Sequence, residues 1–190
     1  GESYLINWTK KGSGIDYVIL EWTPTGHVGG NWSYVVETGN HTVPTGPDGG
    51  SYVWSPVPSG PLSSYCKLRI YDPNNLNTTN LSQGYFWLRG NLSVTKPVAN
   101  DVFQVGTSQY INWTKKGDIA SVNIRYSPDN GTNWTLLTVA NASDLSWLWN
   151  ISWSETTTTQ GKINISDASF PGVYALSSGN FFIKGNFNLT

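Results

Sequence analysis

Thirteen asparagines stand two residues ahead of a serine or threonine with no proline between: Asn7, Asn31, Asn40, Asn77, Asn80, Asn91, Asn112, Asn130, Asn133, Asn141, Asn150, Asn164 and Asn188. In that spacing the hydroxyl can engage the carboxamide that is to be modified, which makes each one an acceptor for an N-linked glycan. An attached sugar is bulky and polar, so an occupied site belongs on the surface. The chain has 19 asparagines, and 40 of its 190 residues are Ser or Thr. Chance pairing would therefore give about four such triplets, and the excess is about threefold. The run TTTT at 156–159 adds a candidate for O-linked sugar.

Other chemistry is thinly represented. His27 and His41 fall in turn-rich loops of the first half, and no His/Cys spacing matches a zinc site. Carboxylates are few and scattered, with no pair spaced for glycoside hydrolysis. Asp72 with Asn74 and Asn75 has calcium-ligand chemistry, but loop Asp and Asn more often cap turns. Neither a phosphate-cradling glycine loop nor a nucleophile elbow is present. The single cysteine, Cys66 in CKLRI, cannot form an internal disulfide and reads as a buried strand residue. These features predict a chain with no catalytic residues, no metal site and no cofactor.

Charged residues make up 12% of the chain, roughly half the usual share, and the formal net charge is −1. That balance predicts no nucleic-acid partner. No apolar run approaches the roughly 20 residues of a membrane span, so no membrane insertion is expected. The chain contains no Met, as expected of a processed or excerpted sequence. Polarity comes from Asn, Ser, Thr and Gly, while ten Trp, ten Tyr and six Phe supply core material. Ordinary sandwiches build their polar faces from Lys, Glu and Arg. A glycan coat would replace the solubility that charge usually provides.

The acceptors need elements to hold them outward, and an internal repeat shows what these are. GESYLINWTKKG at 1–12 matches GTSQYINWTKKG at 106–117. Further on, YVWS (52–55) matches WLWN (147–150), CKLRIYD (66–72) matches GKINISD (161–167), and SQGYFWLRGNLSVT (82–95) matches SSGNFFIKGNFNLT (177–190). A period near 100 residues indicates tandem domains rather than a solenoid. Within each copy the hydrophobic period is two: Ile6 and Trp8 oppose Asn7, Ile163 and Ile165 oppose Asn164, and Leu92 and Val94 oppose Asn91 and Ser93. Strands with one buried face follow. On them Asn7, Asn91, Asn112, Asn150 and Asn164 should point outward. The repeated pairs Trp8/Trp113, Trp32/Trp134 and Trp54/Trp149 read as core. Trp22, Trp87, Trp147 and Trp153 are either further packing or a sugar-stacking platform.

The order G-x-S-x-x-I-N-W-T, a V-x-I-x-Y strand, a hairpin, a W-x-W strand, K-I-x-I-x-D and S-x-G-x-F-x-I-x-G resembles the immunoglobulin-like β-sandwich repeats of secreted surface proteins. It is similar to the domain of fungal cell-wall proteins of the Kre9/Knh type and to related repeats of microbial extracellular fibres. The resemblance implies an extracellular or cell-surface, seven-strand structural module with no catalytic residues. SPDNGTNW (127–134) looks like an Asp-box, the turn motif of sialidase blades, and reads here as a hairpin brace.

The expected fold is all-β, two tandem immunoglobulin-like antiparallel sandwiches. Residues 1–90 form a sandwich lacking its own first strand, 91–185 form a second, and 186–190 form an extra strand. GNLSVTKPVANDVFQVG leads into the second copy, the first has no counterpart, and GNFNLT (185–190) repeats GNLSVT (90–95) beyond the last strand. Either the chain is a window of a longer array, or Asn186, Phe187, Asn188, Leu189 and Thr190 complete the open sandwich of a following subunit. The expected role is a structural repeat of a glycosylated extracellular fibre or stalk, whose partner is itself in a head-to-tail homopolymer. The rival expectation is a carbohydrate-binding or adhesive module of a larger secreted protein.

Overall fold

In the computed structural model, residues 2–26 and 30–187 are described. The chain divides into two compact units, Gly1–Arg89 and Gly90–Thr190. Within the described residues the elements are β-strands, apart from one 3-10 turn, and none is a helix that is long and apolar enough to cross a membrane.

The first unit runs β1 (Tyr4–Thr9), β2 (Tyr17–Thr23), β3 (Ser33–Tyr34), β4 (Thr42–Pro44), β5 (Gly49–Trp54), β6 (Ser63–Asp72), β7 (Asn75–Leu81) and β8 (Phe86–Leu88). The strands β1 and β5 pair antiparallel, from Tyr4 opposite Trp54 to Thr9 opposite Gly49. A second sheet has the order β3-β2-β6-β7, with β4 also on β2 and β8 also on β6. Alternation along the strands sends Ile6 and Trp54 from the first sheet to meet Val18, Leu20, Trp22 and Cys66 from the second. Trp22 and Trp54 pack with centroids 5.7 Å apart. The β1–β5 pair depends on two glycines. Gly49 has φ 136°, and a Cβ on Gly50 would stand 2.7 Å from the Trp8 ring.

The second unit runs β9 (Asn91–Lys96), β10 (Val102–Gln104), β11 (Ser108–Lys116), β12 (Ser121–Ser127), β13 (Thr135–Asn141), the 3-10 turn Ala142–Asp144, β14 (Ser146–Asn150), β15 (Thr158–Asp167), β16 (Tyr174–Leu176) and β17 (Phe181–Lys184). One sheet has the order β14-β11-β9; the other has β10-β17-β15-β12-β13, with β16 on β15. Trp149 of the first sheet packs on Tyr126 of the second at 4.9 Å and edge-on to Phe181 at 6.4 Å, which places the core between the two faces. This is the all-β arrangement that the period-two pattern predicts and the immunoglobulin-like sandwich that the resemblance implies.

The copies differ at one edge. In the second unit β9 lies along β11, with Val94 opposite Trp113, Ser93 opposite Thr114 and Leu92 opposite Lys115, and β10 lies parallel to β17. Leu92 and Val94 face inward and are buried. Among the described residues of the first unit, β1 pairs with β5 alone and β8 with β6 alone. The cores record the difference: Trp113, Ile163 and Ile165 are buried, whereas their matches Trp8, Leu68 and Ile70 are only half-buried.

Two of the three repeated tryptophan pairs lie in or beside the core. The third does not: Trp32 and Trp134 are half-buried outside it. Trp32 lies under the guanidinium of Arg69 at 4.5 Å, and a Cβ on Gly131 would stand 3.3 Å from the Trp134 ring. Each of the two stands in the loop immediately before a strand, β3 or β13, so the strand alternation that turns Trp54 and Trp149 inward does not act on it. Trp22 is buried, while Trp87 and Trp153 are 59% and 72% exposed.

Candidate glycan acceptors and the open edge of the first unit

On a strand, residues i and i+2 share a face, so an N-x-S/T triplet in a strand sets its amide beside its hydroxyl. Asn7 and Thr9 on β1 are both exposed in this way. Asn31, Asn40, Asn77, Asn80, Asn91, Asn130, Asn133, Asn141 and Asn150 are exposed as well. Asn112 and Asn164 are half-buried, because β11 and β15 are inner strands whose neighbours shade them on both sides. Ser166, the hydroxyl partner of Asn164, is 2% exposed and accepts from Arg125 Nη1 at 3.2 Å. Asn188 lies outside the described residues, as do Leu189, Thr190 and His27. Asn186 and Phe187 are exposed, Phe187 to 97%.

Six of the ten exposed acceptors stand at the rims of the sheets, and the other four lie in loops. Asn7 is on β1, Asn77 and Asn80 on β7, Asn91 on β9, Asn141 on β13 and Asn150 on β14, each a strand with a paired neighbour on one side only among the described residues.

Several acceptors are already hydrogen-bonded. Asn141 Oδ1 accepts from the Ser143 amide at 2.9 Å and caps the 3-10 turn, and Asn150 Oδ1 accepts from Ser108 Oγ at 2.6 Å. The β12–β13 loop is a closed brace. Ser127 Oγ accepts the Gly131 amide, Asp129 Oδ1 accepts the Asn133 amide at 2.8 Å, and Asn133 Nδ2 donates to Asp129 Oδ2 at 2.6 Å. Those bonds, from the Asn133 backbone first and Ser127 next, hold the Asp129 carboxyl down at about 2. SPDNGTNW is therefore a structural turn, with Asn130 at φ 57° and Gly131 at φ 93° to close it.

The remaining polar candidates are likewise engaged in local structure. Asp72 Oδ1 takes the Asn74 amide at 2.8 Å and its match Asp167 takes the Ser169 amide at 2.8 Å, so both cap the turn after the same repeated strand. His41 Nδ1 is 2.6 Å from the Val36 carbonyl and its ring stacks on Tyr34. Cys66 is fully buried, and burial pushes its thiol pKa up, away from nucleophilic chemistry.

One cluster escaped sequence reasoning. On the outer face of the first unit, Glu21 is buried and paired with Arg69, whose guanidinium lies over Trp32 at 4.5 Å and Tyr71 at 5.3 Å. Burial, with the charge of Glu21 adding to it, pushes the Tyr71 hydroxyl up to about 12. The sequence signal was a change of charge at two matched positions: Glu21 aligns with Arg125, and the cationic Arg69 with the neutral acceptor Asn164.

At the open edge of β1, two hollows enter the first unit. One is about 160 Å³ and includes Lys10, Ile15, Val18 and Ile70 in its lining. The other is about 440 Å³ and includes Ile6, Trp8, Leu20, Leu68 and Ile70. By the repeat, Trp8 matches Trp113 and Lys10 matches Lys115, the residues opposite Val94 and Leu92. The hollows thus stand where the second unit holds the two inward side chains of β9.

No protein-family model matches the chain, and no curated protein does. Among solved structures, fibronectin(III)-like modules of Clostridium thermocellum CbhA align over 100% of this chain and 91% of that one, with 13% identity and a TM-score of 0.35.

Proposed function

We propose that the protein is a non-enzymatic structural subunit of an extracellular or cell-surface fibre, coated with N-linked glycans and joined head to tail to further copies of itself. The observation that carries this reading is the contrast between the two units. The second closes the edge of β11 with β9, the first leaves the same edge of β1 without a strand among the described residues, and the chain repeats the β9 sequence at 185–190. An edge of unpaired amides and carbonyls is a site for strand addition. A head-to-tail contact of this kind, if it does not close into a ring, builds a filament.

The glycan half of the reading rests on thirteen triplets in a chain of low charge, with ten of the twelve described acceptors exposed. Intact mass before and after deglycosylation tests it in protein from its natural source. A mass equal to the bare 20.9 kDa chain rules out the coat. Light scattering with electron microscopy tests the polymer, and a monodisperse monomer at all accessible concentrations would sink it.

The adhesive reading draws on the exposed rings of Trp87 and Trp153, although Trp87 already carries the Arg89 guanidinium at 3.8 Å. Glycan-array binding that disappears in W87A or W153A would favour that alternative. Membership of a Kre9/Knh-type family remains part of this proposal and rests on the repeated strand motifs alone.

A further inference from the structure

We infer that the first unit holds one of its own glycans: the sugar on Asn77 folds back from β7 onto β6, into a hollow of about 330 Å³ lined by Trp32, Arg69, Tyr71, Leu76, Thr79 and Leu81. This rests on the glycan half of the proposed function and goes beyond it by naming which sugar is held and what holds it.

The chemistry of the lining selects a saccharide. A sugar ring offers C–H groups on its faces and hydroxyls around its rim, so it suits apolar and aromatic walls with a few fixed polar groups. Leu76, Leu81, Trp32 and Tyr71 are such walls, and Leu76 is left 70% exposed. Arg69 supplies the polar group and is held in place for it. Its Nε and Nη2 both donate to Glu21 Oε2, and the Tyr71 hydroxyl donates to Oε1 at 3.4 Å. Nη1 carries two more N–H groups and has no acceptor among the described residues. The buried Glu21 carboxylate balances the guanidinium, so the hollow favours a neutral hydroxylated ligand over a carboxylate or phosphate.

Asn77 stands where that ligand must start. The β6–β7 ladder pairs Tyr71 with Thr79 and Asp72 with Asn75, so residues 76–78 bulge out of it. In an unbroken strand Leu76 and Thr79, three positions apart, would face opposite sides. Here both line the hollow, with the exposed Asn77 between them in sequence. Thr79 is also the hydroxyl residue of the Asn77 triplet. Arg69 and Tyr71 lie on the neighbouring strand, about 4.8 Å away, a distance that the first one or two sugar rings span.

The repeat supplies an internal comparison. Trp32 and Leu81 have matches in Trp134 and Leu176, but Asn77 corresponds to Gly172, Arg69 to Asn164 and Tyr71 to Ser166. The acceptor and the groups that would hold its sugar occur together in one unit and are replaced together in the other.

NMR on glycosylated protein from its natural source tests the assignment. Mass mapping should find Asn77 occupied, and nuclear Overhauser contacts should join sugar ring protons to the Trp32 indole and the Leu76 methyls. Asn77→Gln should remove those contacts and lower the melting temperature by a few degrees. In a Trp32→Ala background the same substitution should change the melting temperature little, and Asn40→Gln, at an acceptor in a turn, should change it little in either background. An occupied Asn77 whose sugar touches none of these side chains overturns the inference, and so does a bare Asn77 in a chain that carries glycans elsewhere. Contacts that persist in Asn77→Gln come from the neighbouring acceptor Asn31 or from another molecule's sugar, and they overturn it as well. All three results leave the glycan coat standing. A mass equal to the bare 20.9 kDa chain overturns the coat and the seat together.

Discussion

The thirteen acceptors are not equivalent as chemical groups. Asn164 is half-buried beside a hydroxyl that is 2% exposed and held by Arg125, and the Nδ2 of Asn133 is committed to Asp129. Asn77 and Asn80 sit exposed on β7. In protein glycosylated after folding, peptide mapping should find the lowest occupancy at Asn164 and Asn133 and the highest on β7. Full occupancy at Asn164 would require that transfer precede closure of β15 between its neighbours. A second expectation concerns Asp129. Its carboxyl is lowered from 3.8 to about 2, so the bonds that favour the charged form stabilise the hairpin above pH 3.8 and are lost as pH falls through about 2. Melting temperature measured from pH 5 to pH 2 should fall less in Asp129→Asn than in the parent chain. Equal falls would remove Asp129 from the account.

At the level of strands, β9 acts as a plug that the second unit carries in its own sequence. Leu92→Ala should cost about 2–5 kcal/mol by the usual large-to-small penalty in a packed core. It should also expose Trp113, which a red shift in tryptophan emission would report. An unshifted spectrum with normal stability would mean that β9 closes nothing. Much of this layer was legible in the sequence, because INW, KINI and NLSV alternate and a buried face forces period two. The Asp-box was legible too, since a turn is made by neighbours in sequence. Faces were harder. Trp32 and Trp134 recur as faithfully as Trp54 and Trp149, yet they lie outside the core, because each falls in the loop just before its strand, β3 or β13, and not within it. The Glu21–Arg69 pair joins residues 48 apart through a sheet register that no local pattern specifies. The two hollows beside β1 exist only in the folded unit, because residues far apart in sequence, from β1 and β2 to β6 and β7, line them.

For the whole molecule, the proposed head-to-tail joint is one of strand addition, in a chain with a net charge of −1. Surface charge pairs are screened by salt and such a joint is not. The concentration for half-assembly should therefore change less than about twofold between roughly 0.05 and 0.5 M salt. A steep dependence would point to a charge-driven contact elsewhere. The placement of acceptors along sheet rims has a consequence for the fate of such a fibre. A protease commonly takes its substrate as an extended segment laid beside its own strand, and sheet rims are where a sandwich has such segments to offer. If saccharide stands on β7, β9, β13 and β14, an approaching active site would meet a hydrated hedge before it reached a peptide bond on those strands. Durability outside the cell would then come from denying access rather than from a larger core, and stripping the sugars should leave the fold intact while shortening its life in a digest.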